Sequence, residues 1–288
     1  MNSPKVDVHE LIAWKLDEYP YRNSAMSLKR EEFAKRIKRA HDRLAERECH
    51  TSCPALLVQE SKSINHLLAE CRERFDLQAE YDGLDWTLGV VDLLRLLAFQ
   101  RRLVFNTRRH TVPQQGDWSQ LTAFALGSQR GTEHHFVGNR CAKGCLDISL
   151  HSNNTDLQLR LSTNAGRGGD LPFSLYGGSP FFEVAEFRGR WFLRDGYHRA
   201  YCLLRAGVHR IPAVVIYART IVEVGANEPW FFSEEQLFSD RPPRVVDFLD
   251  EALVLRYERI AFRKVIRIRV EESLEAFNET DKEQGEET

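Results

Sequence analysis

A chain of 288 residues, 42% hydrophobic and 28% charged, has the length for one large domain or two smaller ones and the composition of an ordinary soluble globular protein. Its formal charge of −2 excludes a strongly basic or acidic class, and no apolar run is long enough to span a bilayer, which argues against a helical membrane protein. Met1 to Tyr19 is polar and acidic where a secretory leader is basic and then apolar, so a cytoplasmic location is expected.

The first hundred residues read as helical. Phe33, Ile37, Ala40 and Leu44 recur on one face of a segment rich in Lys, Arg and Glu, with Ser27 as its N-cap. The basic residues of that segment (Lys29, Arg30, Lys35, Arg36, Lys38, Arg39, Arg43) interleave with Glu31, Glu32 and Asp42, the pattern of a solvated face, with a stripe for nucleic acid or acidic protein as the sharper reading. Pro54 to Phe75 repeats the helical period through Leu57, Ile64, Leu67, Leu68 and Cys71, and the apolar run from Trp86 to Phe99 predicts a buried helix.

Residues 100–106 predict a strand, and Trp118 to Leu126 a short helix capped by Asp117. Between Gly127 and Gly178, Gly- and Asn-rich clusters flank two alternating segments, Leu146–Leu150 and Leu157–Leu161, the pattern of a β-rich region with long loops. Gly166-Arg167-Gly168-Gly169-Asp170 lacks the lysine and hydroxyl of a phosphate loop and reads as a turn. Farther on, Ser233 to Phe238 and Val245 to Ala252 predict helical turns, and Arg263 to Val270 alternates as a strand. The tail from Glu271 holds eight acids and one base, with its last nine residues expected to be disordered. Removing it leaves a mildly basic body with 39 Lys and Arg against 34 Asp and Glu. Six cysteines include two C-x₃-C pairs, Cys49/Cys53 and Cys141/Cys145, near His50, His134 and His135; a four-ligand zinc site and reduced, unligated thiols both stay open.

The stretch from Phe182 to Tyr217 is the most informative. Phe182–Phe187 and Arg190–Leu193 are β-prone runs on either side of Arg188-Gly189, which predicts a hairpin. Tyr197, Ala200, Leu203, Leu204 and Val208 make a helical stripe ended by Gly207, and Ile211–Tyr217 reads as a buried strand with Pro212 near its start. Gly196-Tyr197-His198-Arg199 therefore opens a helix directly behind a strand, where unpaired amides and the positive end of the helix dipole favour an anion. Such an end contributes about 0.3–1 kcal/mol, against roughly 8 kcal/mol for micromolar affinity, so further donors have to converge there. Arg199 is the leading one, Arg194 is adjacent, and Arg188 and Arg190 lie at the hairpin tip. Asp195 reads equally as a cap or as a base, and His198 as a phosphate donor or as a surface histidine on the first turn of the helix. Glu183 and Glu186 fall on opposite strand faces, and Trp191 and Tyr197 read as core or lid aromatics.

Asp195-Gly196-Tyr197-His198-Arg199, the leucine-bearing helix, Gly207 and Ile211-Pro212-Ala213-Val214 resemble the ParB/sulfiredoxin superfamily, which includes the ParB-like nuclease domain. Gly178-Ser179-Pro180 before the hairpin matches as well, so that the likeness covers about forty residues. The turn is also similar to the Asp-Gly-His-His-Arg of a free-serine kinase. The resemblance implies a small mixed-sheet domain over 100–270; with the helical periodicity over 1–99 and the acidic tail over 271–288, the chain is expected to be α+β. The resemblance also implies a nucleotide (ATP, ADP or CTP, with Mg²⁺) held by Gly196, His198 and Arg199, to which the adjacent Arg194 is added as a further cation, with Asp195 as the catalytic acid of a phosphotransferase acting on a small acceptor. Tyr197 stands where a sulfiredoxin has its reactive cysteine, which speaks against sulfinic-acid reduction. The other readings left open are a non-catalytic, nucleotide-responsive module that binds DNA or a protein through the helical region, and a scaffold that keeps only the fold.

Overall fold

The computed structural model describes residues 4–14, 30–57, 62–105, 111–127, 134–140, 146–152, 158–161, 173–176, 179–226 and 230–270. Its elements are, in chain order, β1 (Lys5–Leu11), α1 (Arg30–Ala45), β2 (Leu56–Leu57), α2 (Lys62–Arg72), α3 (Phe75–Glu80), β3 (Trp86–Asp92), β4 (Leu97–Ala98), β5 (Arg102–Phe105), α4 (Trp118–Leu126), β6 (His134–Arg140), β7 (Leu146–Ser152), β8 (Gln158–Leu161), β9 (Phe173–Tyr176), β10 (Glu183–Phe187), β11 (Arg190–Asp195), α5 (Tyr197–Arg205), β12 (Arg210–Tyr217), α6 (Ile221–Val224), α7 (Glu234–Leu237), β13 (Val254–Ile260) and β14 (Lys264–Val270). The chain is α+β. It divides into two compact units, one made of Met1–Arg130 and Ser179–Ala261, the other of Gly131–Gly178 and Phe262–Thr288.

The first unit is built on a six-stranded mixed sheet in the order β2-β3-β12-β10-β11-β4. Its centre comes from a local run of chain. Positive φ at Arg188 (51°) and Gly189 (76°) gives the two-residue reversal whose twist suits a hairpin, so β10 and β11 pair antiparallel across it. α5 follows, ends with Gly207 in the left-handed region, and carries the chain back to lay β12 parallel to β10. Ile211 through Ile216 are buried, as expected of a strand covered on both faces, and Pro212 lies ahead of the pairing with β10, which runs from Val214. A second sheet of the same unit, β13-β1-β5, is antiparallel throughout.

The expected helix from Trp86 to Phe99 is instead strand β3, a 3₁₀ turn over Leu93–Arg95 and strand β4. β3 pairs with β2 on one side and β12 on the other, and strands buried in this way lose the polar alternation that separates them from buried helices. Gly89 shows the closeness of that packing, because a Cβ there would collide with the Leu56 side chain. The expected helix over Pro54 to Phe75 is confined to α2, with β2 ahead of it. Residues 1–99 are thus not a helical module: β1, β2, β3 and β4 belong to the sheets that also hold β5 and β10–β13, and the boundary expected at 99/100 runs through one unit. Ser27, the expected cap of α1, lies outside the described residues.

Other expectations hold at residue level. α4 spans Trp118–Leu126 with the Asp117 carboxylate accepting from the Gln120 amide, and α7 opens with a capping box between Ser233 and Gln236. Val245–Leu249 is a 3₁₀ turn. In the second unit, β14, β7 and β6 form an antiparallel sheet in that order, and β8 and β9 pair as a separate hairpin. The segment 166–170 and the tail from 271 lie outside the described residues.

Candidate functional site at the turn before α5

Gly196 enters α5 with φ of 101°, a conformation that L side chains avoid, and a Cβ placed there would lie 2.6 Å from the Phe182 ring. Glycine is required here for two reasons, backbone conformation and close packing against a buried phenylalanine. Asp195 does not cap the helix: Gly196 is the N-cap residue and no side chain closes it. Tyr197 points inward, and its hydroxyl accepts from the amides of Phe99 (2.9 Å) and Gln100 (3.4 Å). Burial pushes that phenol above its ordinary range, so Tyr197 is a core residue that ties the turn to the segment after β4.

Arg199 occupies the position expected for the principal phosphate donor, yet its guanidinium is directed at the protein's own main chain. Nη1 donates to the carbonyls of Phe124 (3.2 Å), Ala125 (3.2 Å) and Pro180 (3.0 Å), and Nη2 donates to that of Phe181 (2.6 Å). Phe124 and Ala125 are in the last turn of α4, whose final carbonyls have no partner within the helix and carry the negative end of its dipole. Arg74 serves the next one, donating to Leu126 O (2.6 Å) while forking onto Asp76. Two guanidinium groups, with the Phe182 amide on Ala125 O (2.8 Å), thus close the C-terminus of α4. Arg199 also lies 5.6 Å above the centre of the Phe182 ring, and its side chain is 11% exposed. Asp195 approaches it only to 4.0 Å. Charge-assisted bonds of this type contribute about 1.5–3 kcal/mol each, and the fan of donors on an arginine suits several converging carbonyls.

Arg194 is also committed to the protein. It is ion-paired with Glu183, which is 1% exposed, and Nε donates to Glu223 O (3.0 Å) at the end of α6. The second oxygen of Glu183 accepts a 2.5 Å bond from the Tyr81 hydroxyl, which lies 3.2 Å from the Ser179 hydroxyl. Burial, and then the adjacent carboxylate, push the Tyr81 phenol far above its usual value. Ser179 in turn accepts from the Phe181 amide (3.1 Å). These four side chains tie α3, the approach to β10, the β10–β11 hairpin and α6 together. Sequence reading missed Tyr81 and Ser179 as partners. The one available signal was an inward carboxylate on the hairpin, since a buried Glu demands a cation or donor nearby.

The remaining candidates are dispersed. His198 is exposed, and its Nε2 lies 2.8 Å from Val104 O, with the ring edge-on to Phe105. Glu186, on the opposite strand face from Glu183, accepts from the Gly189 amide (2.7 Å) and braces the hairpin turn. At the hairpin tip, Arg188 pairs with Glu234 (2.6 Å), and Arg190 donates to the carbonyls of Leu237, Phe238 and Ser239 at the end of α7. Cys49 and Cys53 are exposed free thiols. Cys141 and Cys145 lie outside the described residues, and among the described residues no three His, Cys, Asp or Glu side chains group as a metal site. On α1, Arg36 pairs with Glu32, Lys38 with Asp42, and Arg43 with Glu46 and Asp250. No helix among the described residues is long and apolar enough to cross a membrane.

The chain matches no family model, no curated protein and no solved structure.

Proposed function

We propose that this protein is a non-catalytic binding module, with a core of the ParB/sulfiredoxin type in which the Asp-Gly-x-His-Arg turn braces the fold instead of holding a nucleotide phosphate. The observation that carries this reading is the set of four carbonyls on Arg199. A phosphate at this turn needs that guanidinium, and recruiting it would take its donors from the carbonyls of Phe124, Pro180 and Phe181, while Ala125 O keeps the Phe182 amide. Arg194, tied to buried Glu183, is held back in the same way. The order of β10, β11, α5 and β12, with the last strand parallel to the first, supports the fold resemblance.

A protein partner suits this reading better than DNA. The cations of α1 are interleaved with acids and several are already paired, which weakens the sequence-independent attraction to a phosphate backbone. A second reading, a nucleotide-responsive module, draws on Asp195 and His198, whose side chains are partly or largely exposed beside the start of α5.

Calorimetric titration with ATP, ADP and CTP, with and without Mg²⁺, separates the two. The expected outcome is no binding heat for the wild-type chain, together with a stability loss of about 3 kcal/mol for Arg199→Ala in denaturant unfolding, because buried acceptors lose their donor. Heat with one nucleotide, abolished by Arg199→Ala while the unfolding midpoint stays in place, would restore the phosphate-holding role.

A further inference from the structure

The β13-β1-β5 sheet ends on one side in a seven-residue edge strand, β13. Which of its main-chain groups face outward follows from two hydrogen bonds at the ends of its pairing with β1. The Ala261 amide donates to Pro4 O (2.8 Å), and the Ile12 amide donates to Leu253 O (3.0 Å). Hydrogen-bonded pairs alternate along an antiparallel ladder, so Leu255, Tyr257 and Arg259 turn their amides and carbonyls toward β1, while Val254, Arg256, Glu258 and Ile260 turn theirs away. The outward Val254 amide closes on Asp250 O (3.1 Å), and among the described residues nothing pairs with the outward groups of Arg256, Glu258 and Ile260.

We infer that this edge is a self-pairing surface: a second copy of the chain adds its own β13 antiparallel about a two-fold axis at Tyr257, joining two three-stranded sheets into one of six. In that register Arg256 faces Glu258 of the second copy and Glu258 faces its Arg256, and both residues offer outward amides and carbonyls. Shifting the two-fold to residue 256 or 258 sets like charges opposite each other, and an axis between two residues would pair an outward with an inward residue. The register is therefore selected by main-chain parity and by charge together. The present partners of the two charged residues, Glu251 for Arg256 (3.6 Å) and Lys5 for Glu258 (3.1 Å), are exposed surface pairs that hold them weakly. β14, one of the edge strands of the other unit, differs in charge. β14 carries Lys264, Arg267 and Arg269 and no acid, the charge pattern that keeps an edge from self-association. β13 instead sets Glu258 among Arg256 and Arg259, so its charges are of mixed sign.

The experiment is sedimentation equilibrium of the full chain over a concentration series, on the wild type and three variants. The wild type is expected to show a monomer–dimer equilibrium. Glu258→Arg should weaken dimerisation at least tenfold, and Arg256→Glu/Glu258→Arg should restore it, because the charges are exchanged symmetrically. Glu258→Pro removes an outward amide without touching the β1 ladder, so it should abolish the dimer while leaving the far-UV circular dichroism intact. A wild type that is monomeric throughout overturns the inference, as does a dimer whose constant is unchanged by Glu258→Pro or Glu258→Arg.

Discussion

The turn at Asp195–Arg199 and the exposed face of α1 are both places where arginine gathers near a helix, and they use it in opposite ways. At the turn, Arg199 is nearly buried and its bonds replace hydration that main-chain carbonyls at the end of α4 and in the segment before β10 have lost on folding. On α1, Arg36, Lys38 and Arg43 pair with acids in water, where ordering two long side chains offsets most of the attraction. The same residue type is therefore structural in one setting and nearly neutral in the other, and solvent access decides which.

That contrast can be broken at its buried end first. Glu183→Ala should have the largest effect, about 4 kcal/mol in urea unfolding, since it leaves Arg194 and the Tyr81 hydroxyl without the carboxylate between them. Gly196→Ala should follow at about 3 kcal/mol, from left-handed backbone strain combined with the clash against Phe182. Thermal unfolding of both variants checks the order.

A smaller effect is expected at His9, whose ring packs tilted against Phe105 and edge-on to Tyr201 of α5. Burial, then Arg256 opposite it on β13 and Arg205 on α5, outweigh Asp7 and lower its pKa from 6.5 to about 4. The unfolded chain then binds a proton that the folded chain refuses, so stability is complete above pH 6.5 and falls as the pH drops toward 4. His9→Gln should flatten the pH dependence of the unfolding midpoint in that window. Smallest of all, Lys38→Ala and Asp42→Ala should each change stability by less than about 0.5 kcal/mol, and a double-mutant cycle should return a coupling of similar size. A coupling above about 1 kcal/mol would erase the distinction between the two regions.

The hairpin, α5 and β12 were legible in the sequence because their signals are local: Arg188-Gly189 for the reversal, Gly196 and Gly207 for the helix ends, and a continuous apolar run for the strand. β3 was misread for the same reason, since its partners β2 and β12 come from distant parts of the chain and burial on both sides removed its alternation. The turn itself was located correctly, but its partners were not. Arg199 reaches carbonyls 18, 19, 74 and 75 residues away, and main-chain carbonyls leave no trace in residue identity.

What the sequence by itself determined was the local course of the chain: where it reverses, where a helix starts and stops, and which position tolerates only glycine. These follow from backbone sterics and side-chain periodicity within a few residues. Only the tertiary structure decided what the polar groups do. A guanidinium bonds whichever acceptors folding brings within about 3 Å and cuts off from water, and at Arg199 those acceptors are the C-terminal end of α4 and the segment leading into β10.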